Sequence, residues 1–185
     1  IRSEPLDKFI FISSTAVYNP LGCEFVSSKT DPNPSDLYGQ SKLLAEKEIK
    51  ISGLPYVILR LAPVYAEGMT RNLEVRIIKI FGINILFSPA EKRFTMLSLS
   101  LFIDYTEQIV SLEGGEMVVN LGDKLPLSQL DILQKLQRNP CFKIVFNAAF
   151  VYSMLVHFSR FLPKNHQNRI CTAAWKMLKS NIVKE

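Results

Sequence analysis

Apolar positions along this chain fall into short continuous runs and longer helical spacings that alternate. "KFIFIS", residues 8 to 13, is β-branched and aromatic and closes on small polar residues, which predicts a buried strand opening into a loop. The loop from Tyr18 to Asn33 is rich in Pro, Asn, Ser and Asp. Ser35 or Asp36 then caps a predicted helix that runs to about Ile51, where Gly53 and Pro55 stop it. "YVILRL", residues 56 to 61, has the apolar continuity of a strand covered on both faces, as in a parallel sheet. Arg60 inside it reads as a buried structural ion partner rather than a catalyst. Strand, helix and strand in this order make a βαβ unit.

Beyond Pro63 the pattern loosens. A loop at Ala66 to Thr70 precedes a predicted helix from Asn72 to Phe81 and a short apolar segment, "INILFS". "LSLFIDYTEQIVSLE", residues 99 to 113, has helical spacing. "EMVVNLG", residues 116 to 122, reads as a strand, and "PLSQLDILQKLQ", residues 126 to 137, as a helix with Ser128 near its start. Residues 144 to 162 are apolar but interrupted by Asn147, His157 and Arg160, so a docked or interfacial amphipathic helix is expected rather than a membrane span. His157 is expected in or beside a core, and Trp175, Met177 and Leu178 on the docking face of a last helix.

Composition adds limits. With 185 residues, 48% hydrophobic and 21% charged, the chain can bury a sizeable core and has a soluble globular make-up. It starts at Ile1 without methionine or a secretory leader pattern, so the numbering is expected to begin inside a longer protein. Cys23, Cys141 and Cys171 are far apart and in no metal-ligand spacing, which points to free thiols in a reducing cytoplasm and to no metal site. The net charge of +5 is a property of the tail: from Pro140 onward, seven Lys or Arg face the single acid Glu185. These charges are scattered and no nucleic-acid module accompanies them, so nucleic acid is not an expected partner. Peripheral membrane contact through the tail is the less favoured use of it.

Candidate chemistry gathers at strand ends. Ser13 and Ser14 close the first strand, and Pro63, Val64 and Tyr65 follow the second, where open α/β sheets place ligands. Tyr38 and Lys42, in "SDLYGQSKLLAEKE", stand one helical turn apart on one face, about 6 Å apart at Cβ. That spacing is weak evidence alone. Taken in order with "FIFISSTAVY" before it and "LPYVILRLAPVYAEG" after it, the sequence resembles the extended short-chain dehydrogenase/reductases, specifically the NAD-dependent epimerase/dehydratase group acting on nucleotide sugars.

The resemblance implies an α/β fold: the second half of a Rossmann-type doubly wound parallel sheet plus a small mixed α/β substrate-binding lobe. On it, residues 1–65 carry the catalytic elements, 66–139 the substrate lobe, interleaved with the Rossmann part, and 140–185 a basic amphipathic tail. It implies catalytic roles for Ser14, Tyr38 and Lys42. Tyr38 would be the acid/base on the sugar hydroxyl whose carbon gives up hydride, and Lys42 would bond the nicotinamide ribose. A lysine ammonium beside a phenol favours the phenolate, and Ser14 would align the same hydroxyl. Ser13, Tyr38, Lys42 and Pro63 are implied on the cofactor side. On the substrate side stand Ser14, Asn72 and Arg93, with Asn72 and Arg93 at the nucleotide diphosphate, where arginine's planar fork suits phosphate.

The cofactor implied is NAD or NADP, the partner a nucleotide sugar and the assembly a homodimer. The reaction implied is that of a UDP-glucose 4-epimerase-like enzyme. A 3β-hydroxysteroid-dehydrogenase-type reductase of the same superfamily, or an inactive remnant or interaction module, are the alternatives.

The sequence departs from the family pattern at Asn19 for a glycine, Ala66 and Glu67 for Gly-Pro, and Ser100 for an acid. It has no Gly-x-x-Gly-x-x-Gly or Gly-x-Gly-x-x-Gly, the motif that cradles a dinucleotide pyrophosphate, and only about a dozen residues precede Ser14. A carboxyl-terminal portion of an enzyme is therefore expected, one needing an amino-terminal half to hold NAD.

Overall fold

The structure, a computed structural model, describes residues 7–18, 25–80, 83–87, 93–111, 115–138, 142–144, 157 and 182–183. Along the chain run β1 (Phe9–Ser14), β2 (Phe25–Val26), α1 (Leu37–Ile51), β3 (Tyr56–Leu61), β4 (Val64–Tyr65), α2 (Arg71–Glu74), β5 (Ile78–Ile80), β6 (Ile83–Phe87) and β7 (Arg93–Phe94). Then come β8 (Leu97–Ser98), α3 (Leu99–Ser111), β9 (Glu116–Leu121), β10 (Leu127–Ser128), α4 (Gln129–Lys135), β11 (Phe142–Ile144) and β12 (Ile182–Val183). Two compact units divide the chain. The first comprises Ile1–Ala66, Thr95–Lys124 and Val183–Glu185, and the second Glu67–Phe94 and Leu125–Ile182.

The first unit is built on a parallel sheet of order β1-β3-β9. Parallel neighbours need crossovers, and α1 and α3 supply them. As the middle strand, β3 is buried at all six positions, which is why its sequence is apolar without alternation. Val57, Leu59, Leu61, Leu97, Ile109 and Leu121 pack as one core cluster. Asp36 caps α1 by accepting from the Gly39 amide at 2.8 Å. Beyond the sheet, β4 pairs in parallel with β8, and Asp123 ties that pair down. It accepts from the Tyr65 hydroxyl at 2.8 Å and from the Ser98 amide and hydroxyl at 2.9 and 3.1 Å. Burial, and then the bond to this carboxylate, push the Tyr65 phenol up to about 12.

In the second unit β5 and β6 pair antiparallel, β11 joins β6 in parallel, and β7 pairs antiparallel with β10. Leu73, Ile77, Phe94, Ile132 and Leu133 are buried there. Ser128 caps α4 in a capping box with Asp131. The helix expected from Asn72 to Phe81 stops at Glu74, and Ile78–Ile80 is a strand. Val75, Ile77, Ile78 and Ile80 are β-branched; they lose rotamer freedom in a helix and fit a pleated surface. Most of the expected amphipathic tail, with Trp175, Met177 and Leu178, lies outside the described residues. His157 is described, and it is exposed rather than set in a core, its polar ring tip suiting the surface. No helix among the described residues is long and apolar enough to cross a membrane.

Candidate active site

The site is assembled at the carboxyl end of β1. Ser14 is the last residue of that strand and caps the 3-10 turn Thr15–Val17, its Oγ accepting from the Ala16 amide at 3.1 Å. With that acceptor role filled, the Ser14 hydroxyl proton is available to an outside oxygen. Tyr38 lies in the first turn of α1 and is 56% exposed, so its phenol is open to a substrate. Lys42, one turn on, donates from Nζ to the Ile12 carbonyl of β1 at 2.8 Å. Its ammonium stands 5.0 Å from the Phe11 ring centroid and 5.9 Å from that of Tyr38. One of its three protons is thus committed and two remain to be given.

What brings the Ser14 turn against the Tyr38 helix is Gly39. This residue is buried, and an added Cβ would fall on the Ala16 carbonyl and within 2.8 Å of the Pro34 side chain. Only a residue without a side chain lets the first turn of α1 approach the turn after β1 this closely.

Below the exposed end, the same helix face is anchored by charge. Tyr38, Lys42 and Glu46 follow at four-residue intervals, and Glu46 is fully buried. Arg60 of β3 donates to it from Nε at 3.0 and 3.2 Å and from Nη2 at 2.6 Å, a two-pronged pair. The sequence-based reading of Arg60 as a buried ion partner therefore holds. Sheet register explains the meeting: Ser13, Arg60 and Asn120 occupy one row across β1, β3 and β9. Ser13 donates to Glu46 at 2.6 Å, so its hydroxyl points into this network. Arg60 Nη1 donates to the Tyr18 hydroxyl at 2.7 Å, with its guanidinium 5.0 Å over the Tyr18 ring. Burial alone would lower the Arg60 pKa; the bonds to Glu46 and Tyr18 outweigh it and hold the guanidinium above its usual value.

The Tyr18 oxygen also lies 2.9 Å from the Ser27 carbonyl and 2.8 Å from Asn120 Oδ1, while Asn120 Nδ2 is buried without a partner. One phenol proton cannot serve two acceptors. Turning the Asn120 amide over lets Nδ2 donate to the phenol and the phenol donate to Ser27.

Pro63 sits between β3 and β4, its carbonyl taking the Leu97 amide at 3.1 Å. Asn72 and Arg93 belong to the second unit. Asn72 lies in α2, and its carbonyl accepts from Nη1 of Arg76. Arg93 is exposed on β7, with Nη1 3.4 Å from the Pro126 carbonyl. Hydrogen bonds from the Ser128 side chain and backbone hold the Asp131 carboxyl below its usual range, with smaller contributions from the Arg93 and Lys135 charges. Arg76 was not singled out by sequence. It is one turn beyond Asn72, and burial lowers its pKa to about 10. Glu46 was missed too, although its place one turn after Lys42 was a usable signal.

Comparison with known proteins bears on this geometry. The family model for the RmlD substrate binding domain matches residues 7–81. No curated protein sequence matches the chain. Among solved structures, a functionally unknown conserved protein from Silicibacter pomeroyi is similar at 16% identity and a TM-score of 0.63, over 96% of this chain and 57% of that one. UDP-glucuronic acid 4-epimerase from Bacillus cereus, solved in complex with NAD, is similar at 21% identity and a TM-score of 0.53, over 94% of this chain and 61% of that one.

This is the fold of the NAD-dependent epimerases and dehydratases. A third neighbour has it as well: dTDP-glucose 4,6-dehydratase from Bacillus anthracis, with NAD, at 16% identity and a TM-score of 0.54, over 76% of this chain and 50% of that one. The present chain spans about half to three fifths of the length of these structures. The parallel sheet, Ser14 at the end of β1, and Tyr38 and Lys42 on α1 all lie in the first unit.

Proposed function

We propose that the chain carries the acid/base part of an NAD-dependent nucleotide-sugar epimerase or dehydratase. The supporting observation is the placing of an exposed Tyr38 phenol beside a Lys42 ammonium fixed on the Ile12 carbonyl, next to the Ser14 turn. NAD, when bound, supplies the hydride acceptor. Of the residues here, Lys42 fits its nicotinamide ribose, having two protons left to donate. No glycine-rich motif for the pyrophosphate occurs in this sequence.

Tyr38 would take the proton from a sugar hydroxyl as its carbon is oxidised and return a proton on reduction. Lys42 would favour the phenolate by its charge, and Ser14 would donate to the same sugar oxygen and fix its direction. Asn72 and Arg93 are the second unit's candidates for the nucleotide. UDP-glucose 4-epimerase-like chemistry is the specific form proposed.

Supplying NAD and UDP-glucose to a protein in which this chain is extended by a glycine-rich dinucleotide-binding half, and following UDP-galactose by NMR, tests this. Tyr38→Phe should lower turnover by about 100-fold or more without weakening UDP-glucose binding; an unchanged rate would remove Tyr38 from the mechanism.

A homodimer is part of the proposal. Leu37, Leu44 and Ile51 recur every seven residues of α1 and are 82%, 61% and 77% exposed, an apolar stripe on one helix face. Sedimentation at tens of micromolar should give twice the chain mass, and a monomer there would discard this part.

A further inference from the structure

Arg76 in the second unit is held like a ligand-binding arginine whose ligand none of the described residues provides. Three contacts fix it. Nη1 donates to the Asn72 carbonyl, the guanidinium carbon lies 5.6 Å over the Phe94 ring, and Gln129 Nε2 grips the residue's own carbonyl at 3.1 Å. The other edge of the guanidinium is uncommitted. Nε is out of solvent and without a hydrogen-bond partner, and among the described residues neither a carboxylate nor another acceptor meets Nε or Nη2. As a whole the residue is half-buried.

Nε–H and Nη2–H together form the planar fork that grips two oxygens of a carboxylate or phosphate. Arg60 uses this same edge on Glu46. If Arg76 served packing alone, a methionine of similar length would fill the space without burying an unmatched cation. A guanidinium held on one side and, among the described residues, without an acceptor on the other is instead arranged for an anion from outside. Burial with no opposing charge lowers its pKa, which agrees with that picture. Arg93, the arginine that sequence favoured for this work, is exposed and has the Asp131 carboxylate among its electrostatic neighbours.

We propose that Arg76 is an oxyanion contact of the second unit and that the group it takes is a phosphoryl group. The choice of phosphoryl over carboxylate rests on the nucleotide-sugar reading, since the residue holding Arg76 is Asn72, the diphosphate candidate.

The test is calorimetric titration of the whole chain with inorganic pyrophosphate, UDP and citrate, repeated for Arg76→Met, Arg76→Lys and Arg93→Met. Pyrophosphate and UDP should bind the parent chain, and Arg76→Met should weaken both about tenfold or more, the scale of a lost charge-assisted bond. Arg76→Lys keeps the charge but not the fork, so it should weaken them by a smaller factor, and Arg93→Met least. Pyrophosphate should raise the thermal midpoint of the parent chain and not that of Arg76→Met. If the Met variant does not fold, the Lys variant decides.

Loss of pyrophosphate affinity at Arg76, with UDP no tighter than pyrophosphate, would support the contact and count against the nucleotide-sugar reading. UDP binding that ignores Arg76 would overturn the contact and leave that reading standing. Absence of pyrophosphate binding, or equal dependence of citrate on Arg76, would overturn the phosphoryl assignment.

Discussion

Arg60 and Arg76 are two arginines withdrawn from water, one in each unit, and their surroundings treat them oppositely. Around Arg60 the sheet row and α1 supply a carboxylate on the fork edge and a phenol on the other, and the cation is held above its usual pKa. Around Arg76 there is a backbone carbonyl and an aromatic face, and its pKa falls to about 10. Both pay for lost hydration; the difference is whether the described residues supply the opposing charge. A paired arginine locks two elements together, as Arg60 locks α1 to β3. An unpaired one holds back part of its bonding capacity for something else.

Breaking the first pair should have the largest effect. Glu46→Gln leaves Arg60 buried without an anion, and urea unfolding should show a loss of about 3–5 kcal/mol. A loss under about 1 kcal/mol would mean that the pair holds nothing in place. Because Glu46 shares a helix face with Lys42 and Tyr38, the loss should be accompanied by faster amide exchange in α1.

Removing the second arginine should do far less to the fold. Arg76→Met should leave the unfolding midpoint unchanged or raise it, since it withdraws an unmatched buried cation. A marked drop would show that its bond to the Asn72 carbonyl and its contact with the Phe94 ring hold the fold, and that this is its task.

The smallest effect is in alkali. The Tyr65 phenol, raised to about 12, contributes stability that is full below pH 10 and lost as pH climbs to 12. Arg76, lowered to about 10, acts in the opposite sense: its buried charge costs stability below pH 10, and the cost is relieved as pH rises above 10 toward the ordinary arginine range. Urea midpoints between pH 9 and 11.5 should therefore fall more steeply for Arg76→Met than for the parent, and less steeply for Tyr65→Phe. Parallel curves for all three would refute the opposition.

Much of the first unit was legible before any coordinates. The apolar run 56–61 had to be a strand covered on both faces, and Asp36 and Gly53 marked the limits of α1. The Ser14, Tyr38 and Lys42 positions could be picked out because their motif depends on local spacing. The strand at Ile78–Ile80 was misread as helix because apolar residues at Ile77, Ile78 and Ile80 satisfy either period over so short a stretch. Gly39 gave no sign of its role, since nothing local says that the Ala16 carbonyl will press against it.

By itself, then, the sequence determined what depends on neighbours a few residues apart: the βαβ order, the helix caps, and the single face shared by Tyr38 and Lys42. Tertiary structure alone decided the partnerships of the buried charges. Arg60 meets Glu46 because strand register and a crossover helix bring together residues on different elements, and Arg76 meets no acid because the fold of the second unit brings none of the described ones there. Coulombic attraction and the cost of dehydration depend on distance through space, and one-dimensional spacing does not carry that distance.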